Sequence, residues 1–299
     1  MSDVTTPQAA EVDDAPRSDK LRRALFRFRQ SKLSILGAIL VGLVLFFTVF
    51  GTVLAPYPEH VAGGLNTAAR FLPPSWDHPF GTNELGQDVL SLVMAGTTVS
   101  VLAGFGVVLI GTVIGTTVGA IAGFAGGWTD EILMRLTDLT LTIPGLILAM
   151  AIAAALGAGF GNMVIAISLS WWPGYARLVR GEVLSAREEV YVTAARAIGA
   201  KPSRVLFRHI LPNTVSPIIV KMSLDMGFAI LTVAALGFIG IGVRPPTPEW
   251  GTLLSISRAY MPDYWWTAMA PGMAMFLAVF GFNLLGDGLR DVLDPKARR

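Results

Sequence analysis

From Leu33 to Pro58 the chain carries no charged side chain, and from Ile35 to Ala55 it is almost wholly apolar. A helix needs about 20 apolar residues to cross a hydrocarbon core about 30 Å thick, and this run supplies them. In lipid no water satisfies a free N–H or C=O, so a lone crossing segment has to be helical. The run follows a basic stretch formed by Lys20, Arg22, Arg23, Arg27, Arg29 and Lys32. A cleavable signal peptide has a shorter apolar region behind a shorter basic head. We therefore read an uncleaved membrane-spanning helix entered from its basic side.

The rest of the chain repeats the pattern. Apolar segments lie at Thr97–Phe124, Ile143–Gly159, Met163–Tyr175, Ser216–Gly242 and Thr267–Leu285. Trp171, Trp172, Pro173 and Gly174 interrupt the third of these. Pro173 should kink that helix rather than end it, because lipid leaves few alternatives to helical hydrogen bonds. Over 299 residues, 53% are hydrophobic before 32 glycines are added, and 15% are charged. An average soluble domain is roughly 25% charged. This balance excludes a cytosolic enzyme, a disordered chain and a nucleic-acid binder. The expectation is an all-α integral membrane protein with six transmembrane helices. It divides into a tail at 1–32, a first helix at 33–55, an outer loop at 56–96, a five-helix core at 97–287 and a tail at 288–299.

Cationic side chains in short loops gather on the cytoplasmic side. On one side fall Arg17 to Lys32, Arg135, the run from Arg177 to Arg208, and Arg290 to Arg299. On the other fall only Arg70, Arg244 and Arg258. Both termini are expected in the cytoplasm, with Trp265 and Trp266 in an aromatic belt at the outer interface.

Several chemistries are missing. Without cysteine there is no disulfide or thiol nucleophile. His60, His78 and His209 are scattered and show no metal-ligand spacing. No G-x-x-x-x-G-K-[S/T] loop is present to cradle ATP phosphates. Gly111, Gly115, Gly119 and Gly123 recur every fourth residue and form one smooth groove, for close packing of a second helix or for lining a solute path. Lys221 and Asp225 stand four apart near the basic end of their span, and Asn283 and Asp287 do so at the end of the last. Each pair reads as a structural polar pair or as part of a gate.

The polar loop at 177–214 is the most patterned. Val190, Ala194, Ala195 and Ile198 recur at helical spacing and suggest one apolar face. Glu188 and Glu189 suit a helix start, Gly199 a helix end, and Pro202 the first turn of the next helix. Arg204 and Arg208 share a face of that helix. We expect two short helices joined by a glycine turn and ending at Leu211-Pro212. The loop is either a docking element, as its Ala pair suggests, or a solvated connector.

Thr193-Ala194-Ala195, Gly199 and Leu211-Pro212 resemble the EAA loop of ABC importer permeases. Thr193 stands where the family has Glu, and His209 where it has Ile. His78 to Ser91, Leu236 to Gly251 and Phe282 to Pro295 are similar to signature segments of the dipeptide/oligopeptide/nickel subfamily. The likeness covers residues 20–296. The extra N-terminal span and the Leu-Asp-Pro tail resemble the C-type subunit.

The resemblance implies a type I importer permease fold in a bacterial or archaeal plasma membrane. It implies a non-catalytic subunit with no cofactor of its own, because ATP and Mg bind to two partner ATPases. The other implied partners are a B-type permease, completing a heterodimeric pore, an extracytoplasmic solute-binding protein and membrane lipid. The cargo would be a dipeptide, an oligopeptide or a related small solute. Tyr191, Thr193, Ala194, Ala195, Arg196, Gly199, His209, Leu211 and Pro212 would meet the ATPase. The subfamily carries charges where this chain has Asn83, Gln87, Leu92 and Thr98, so the outer-face electrostatics are expected to differ. The alternatives are an ion-gradient-driven transporter or channel, which would want acids deep in the spans, and an intramembrane hydrolase, which would want a Ser/His, paired-acid or metal site there.

Overall fold

The computed structural model describes residues 26, 28 and 30–293. The polar segment 1–19, most of the basic stretch after it and the end of the tail lie outside them. Helices and loops make up the described residues, apart from a single bridge between Thr82 and Asp88. The main helices are α1 (Lys32–Phe50), α2 (Val89–Ala125), α3 (Gly127–Thr142), α4 (Gly145–Leu156), α5 (Phe160–Arg187), α6 (Val190–Ala197), α7 (Leu211–Ile239), α8 (Trp250–Ser257) and α9 (Trp266–Leu293).

Helices α1, α2 and α9 and the stretch Pro202–Ile239 are long and apolar enough to cross a membrane. Helices α3 and α4, bent by 90° between them, add a fifth crossing if the pair counts as one. The bend follows from Pro144, which pushes Ile143 out of the helical region to φ −92°, ψ 127°. Helix α5 is long enough, but its second half carries Arg177, Arg180, Glu182 and Arg187. It runs through Pro173 without ending.

Helix α2 begins at Val89, not Thr97, so the outer loop closes before residue 96. The Asp88 carboxylate caps it, accepting from the Ser91 N–H at 2.8 Å. Similarly α9 continues to Leu293, beyond the expected end of the last span.

The glycine stripe of α2 lies on α5. A Cβ at Gly115 would strike the Trp172 carbonyl and the Tyr175 Cβ, and one at Gly119 the Ala176 carbonyl. At Gly123 the nearest atom would be the Arg180 carbonyl oxygen at 3.0 Å. Helix α1 buries Ser34, Gly37, Val41, Val44 and Thr48, a stripe with alternating steps of three and four. Gly281 and Gly288 of α9 face this stripe, against Leu40 and Ser34. Outward from it point Leu36, Ile39, Leu43 and Phe46, suited to lipid.

Three apolar clusters result, the smallest being Val89, Val93 and Ala270 between α2 and α9. The largest joins α2, α5, α7 and α9 through residues such as Val107, Ile167, Ile230 and Phe282, with Trp250 of α8 inserted. The second sits at the basal end, where α5 stops and α7 starts, and contains Val179, Val183, Val205, Leu206 and Ile210. Ser34 near the start of α1 and Arg290 near the end of α9 also lie at the basal end.

Candidate functional site: a basal apolar face and a locked distal end

The basal segment is built on an anchored short helix. Val192 and Ala195 of α6 are buried, and Val192 packs with Val179, Val183 and Val205. The helix ends with two bonds, from the Gly199 N–H to the Arg196 carbonyl at 3.0 Å and from the Ala200 N–H to the Ala195 carbonyl at 3.1 Å. Gly199 holds φ +81°, so this is a Schellman ending that needs a left-handed residue.

The expected single apolar face is divided. Ala195 goes in with Val192, while Val190, Tyr191, Ala194 and Ile198 point out. Val190 is 82% exposed and Ile198 86%. Both stripes of α6 are apolar, so spacing alone did not choose between them. Phe207, 68% exposed, adds to the outer face. Thr193, Arg196 and Pro212 are exposed, and His209 and Leu211 half-buried. Asn213 donates to the Tyr191 hydroxyl at 3.1 Å and to the His209 carbonyl at 2.9 Å, tying α6 to the start of α7.

The second element does not stop at Leu211-Pro212. It starts at Pro202, passes through a π-helical turn at Val205–Ile210 and runs straight into α7. The Leu211 N–H bonds to the Leu206 carbonyl, five residues back. The wider turn suits Pro212, whose ring would crowd the carbonyl four residues before it in a tight α-helix.

The arginines of α5 are spoken for. Arg180 holds Asp130 of α3 through two bonds, the second at 2.6 Å, and Arg177 reaches Asp138 at 2.7 Å. Arg187 donates to the Gly123 carbonyl at 2.8 Å and so caps the end of α2. Deeper in, Lys221 and Asp225 form an ion pair at 3.0 Å. Asn283 packs against Gly227, whereas Asp287 is exposed, so these two do not form a joint site.

At the opposite, distal end the signature segments interlock. Glu249 is fully buried and caps α8, accepting from the Gly251 and Thr252 N–H groups at 2.8 Å each. It also pairs with Ser100 of α2 at 3.2 Å. Burial pushes its carboxyl above the usual carboxylate range, while these N–H bonds pull it down. Trp250 donates from Nε1 to the Val93 carbonyl at 3.1 Å.

Asp88 lies between two histidines that sequence spacing did not connect. His78 Nδ1 is 2.9 Å from its carboxylate, and its own N–H donates to His60 Nδ1 at 2.9 Å. Among the described residues no group of three metal-ligating side chains forms. Asn83 and Gln87 are buried and bond to each other at 3.0 Å. Leu92 is buried too, and Thr98 donates to the Thr48 carbonyl at 2.9 Å. Three of these four positions are therefore buried in the packing, and Thr98 is half-buried.

Comparison with known proteins agrees with this architecture. Residues 115–299 match the family described as "Binding-protein-dependent transport system inner membrane component". Residues 20–74 match the "N-terminal TM domain of oligopeptide transport permease C". A probable D,D-dipeptide transport system permease protein of Escherichia coli K12 is 44% identical over 275 residues, covering 92% of this chain and 91% of the relative. A glutathione transport system permease protein of Escherichia coli O157:H7 is 42% identical, covering 91% and 89%. Among solved structures, the inward-facing MetNI methionine ABC transporter aligns with a TM-score of 0.53 at 16% identity, over 67% of this chain and 96% of that one. That likeness speaks for the fold. The chain belongs to the ABC importer permeases, as a non-catalytic C-type membrane subunit of the dipeptide/oligopeptide class.

Proposed function

We propose that this subunit crosses the plasma membrane six times with both termini and the basal end in the cytoplasm. There it receives motion from two ATPases and, with a B-type permease, passes cargo delivered by an extracytoplasmic binding protein. The placement of Arg177 to Arg208 with the start of α1 and the end of α9 at one end supports the orientation. The relatives named for D,D-dipeptide and glutathione support a short peptide or peptide-like cargo. ATP and Mg then belong to the partners.

The observation that carries the coupling role is the outward stripe of Val190, Tyr191, Ala194 and Ile198 with Phe207 beside it. Such a face, fixed from behind by Val192 and Ala195, suits a helix-in-groove contact. Thr193, Arg196 and Gly199 border it, and His209, Leu211 and Pro212 lead into α7. The loop transmits motion and performs no bond chemistry. The test is Ile198→Asp, which should leave the permease folded but abolish ATPase copurification and uptake. Gly199→Leu should do the same by straining the left-handed turn. Normal assembly, ATPase activity and uptake in both variants would overturn the coupling role.

A further inference from the structure

At the basal end, α5, α7 and α9 line an open cleft of about 560 Å³, within the usual range for small-molecule sites. Its wall carries two acids, Glu182 and Asp225, and two bases, Lys221 and Arg290, with Asn213 and Ser216 between them. The charges cancel. Lys221 and Asp225 are each other's partners at 3.0 Å, and their side chains are 31% and 17% exposed. The ammonium also lies over the Tyr175 ring, 4.9 Å from its centre. Behind it the fully buried Tyr175 hydroxyl and the Thr112 hydroxyl have no hydrogen-bond partner among the described residues.

Resting on the reading of the chain as a peptide importer's permease, we propose that this cleft is a transit site for a zwitterion, a short peptide with both ends free. Its carboxylate takes over Lys221 and its ammonium takes over Asp225, with Arg290 and Glu182 as second partners. Opening a partly buried ion pair is costly when one charge is left alone. A zwitterion re-pairs both charges at once. A solute of single charge re-pairs one and strands the other, and a neutral solute re-pairs neither. The backbones of Lys221 and Asp225 stand about one helical turn apart, so swinging the two side chains out of their 3.0 Å contact spaces the charges for a short peptide's ends.

The test uses the complete transporter in nanodiscs without its binding protein. Saturation-transfer NMR with dialanine should detect weak binding, whereas N-acetyl-dialanine amide should bind at least tenfold less. Lys221→Met with Asp225→Leu removes both charges together and should lower dialanine binding at least tenfold, while Lys221→Arg should retain it. Equal binding of free and blocked dialanine, or undiminished binding in the double variant, would overturn the proposal. The comparison of the two ligands on the native complex decides the matter even if the double variant fails to assemble. ATP-driven uptake in proteoliposomes, measured with the cognate binding protein, separates the two readings. Native protein without uptake refutes the importer role, whereas uptake unchanged in the double variant refutes only the transit site.

Discussion

Removing the Glu249 carboxylate should loosen the distal end more than any other single change there. In Glu249→Ala the N–H groups of Gly251 and Thr252 lose their acceptor inside the protein, and Ser100 loses one partner. A buried unpaired donor costs about 1–3 kcal/mol and a lost N-cap about 1 kcal/mol. Relief of the burial penalty on the carboxyl offsets part of this. The expected net loss is roughly 3 kcal/mol, or a fall of about 10 °C in midpoint at the roughly 2–4 °C per kcal/mol typical of chains somewhat smaller than this one. Glu249→Gln keeps one acceptor oxygen and should lose about half as much. Thermal unfolding of the purified protein in detergent, followed by intrinsic tryptophan fluorescence, reads both. The sign of the pH effect follows from the raised carboxyl. The folded state holds its proton to higher pH than the unfolded state, so this group's contribution to native stability is fully present below the ordinary carboxylate range. It declines as pH rises from there through the folded value. Glu249→Gln should lack that decline. Equal midpoints for native and Glu249→Ala protein, or a native-minus-Glu249→Gln difference that grows across that window, would refute the reasoning.

Asp88→Ala removes the cap of α2 and the acceptor beside His78, and should cost about 1–3 kcal/mol by the same assay. Asp88→Asn, which retains a capping oxygen, should cost less. Gly115→Leu drives a side chain into α5 at Trp172 and Tyr175 and should prevent recovery of monodisperse protein. Gly42→Ala, at a helical site with nothing within 4 Å, should be neutral or raise stability by about 0.5–1 kcal/mol.

The membrane elements were legible because lipid dictates them. Long uncharged runs have to be helices, and α1, α2, α7 and α9 stand where such runs lie. Gly199 was legible for a local reason, a turn that needs positive φ. Other features were not, because their partners lie far away in sequence. Nothing near Gln87 signals that its amide donates to the His60 and Gly64 carbonyls below the surface. His60 and His78 join only through Asp88. In α6 the period was right but the face was not one: Ala195 goes in with Val192 while Val190, Ala194 and Ile198 stay out, a division that only the core beneath could select. Asp88 and Glu249 sit three residues before Ser91 and Thr252, positions from which their capping roles could have been suspected.

The unbroken stretch from Pro202 to Ile239 has a mechanical meaning. It spans 38 residues, about 57 Å at 1.5 Å per residue. One end carries the exposed Phe207, and the other meets the Glu249 carboxylate through Gly237. Such a rod acts as a lever: tilted by about 5° at its foot, it carries its tip through about 5 Å. A hinge between foot and tip would absorb that stroke. Here the foot is part of the rod, so a rotation at the foot arrives at the tip as a displacement set by length alone.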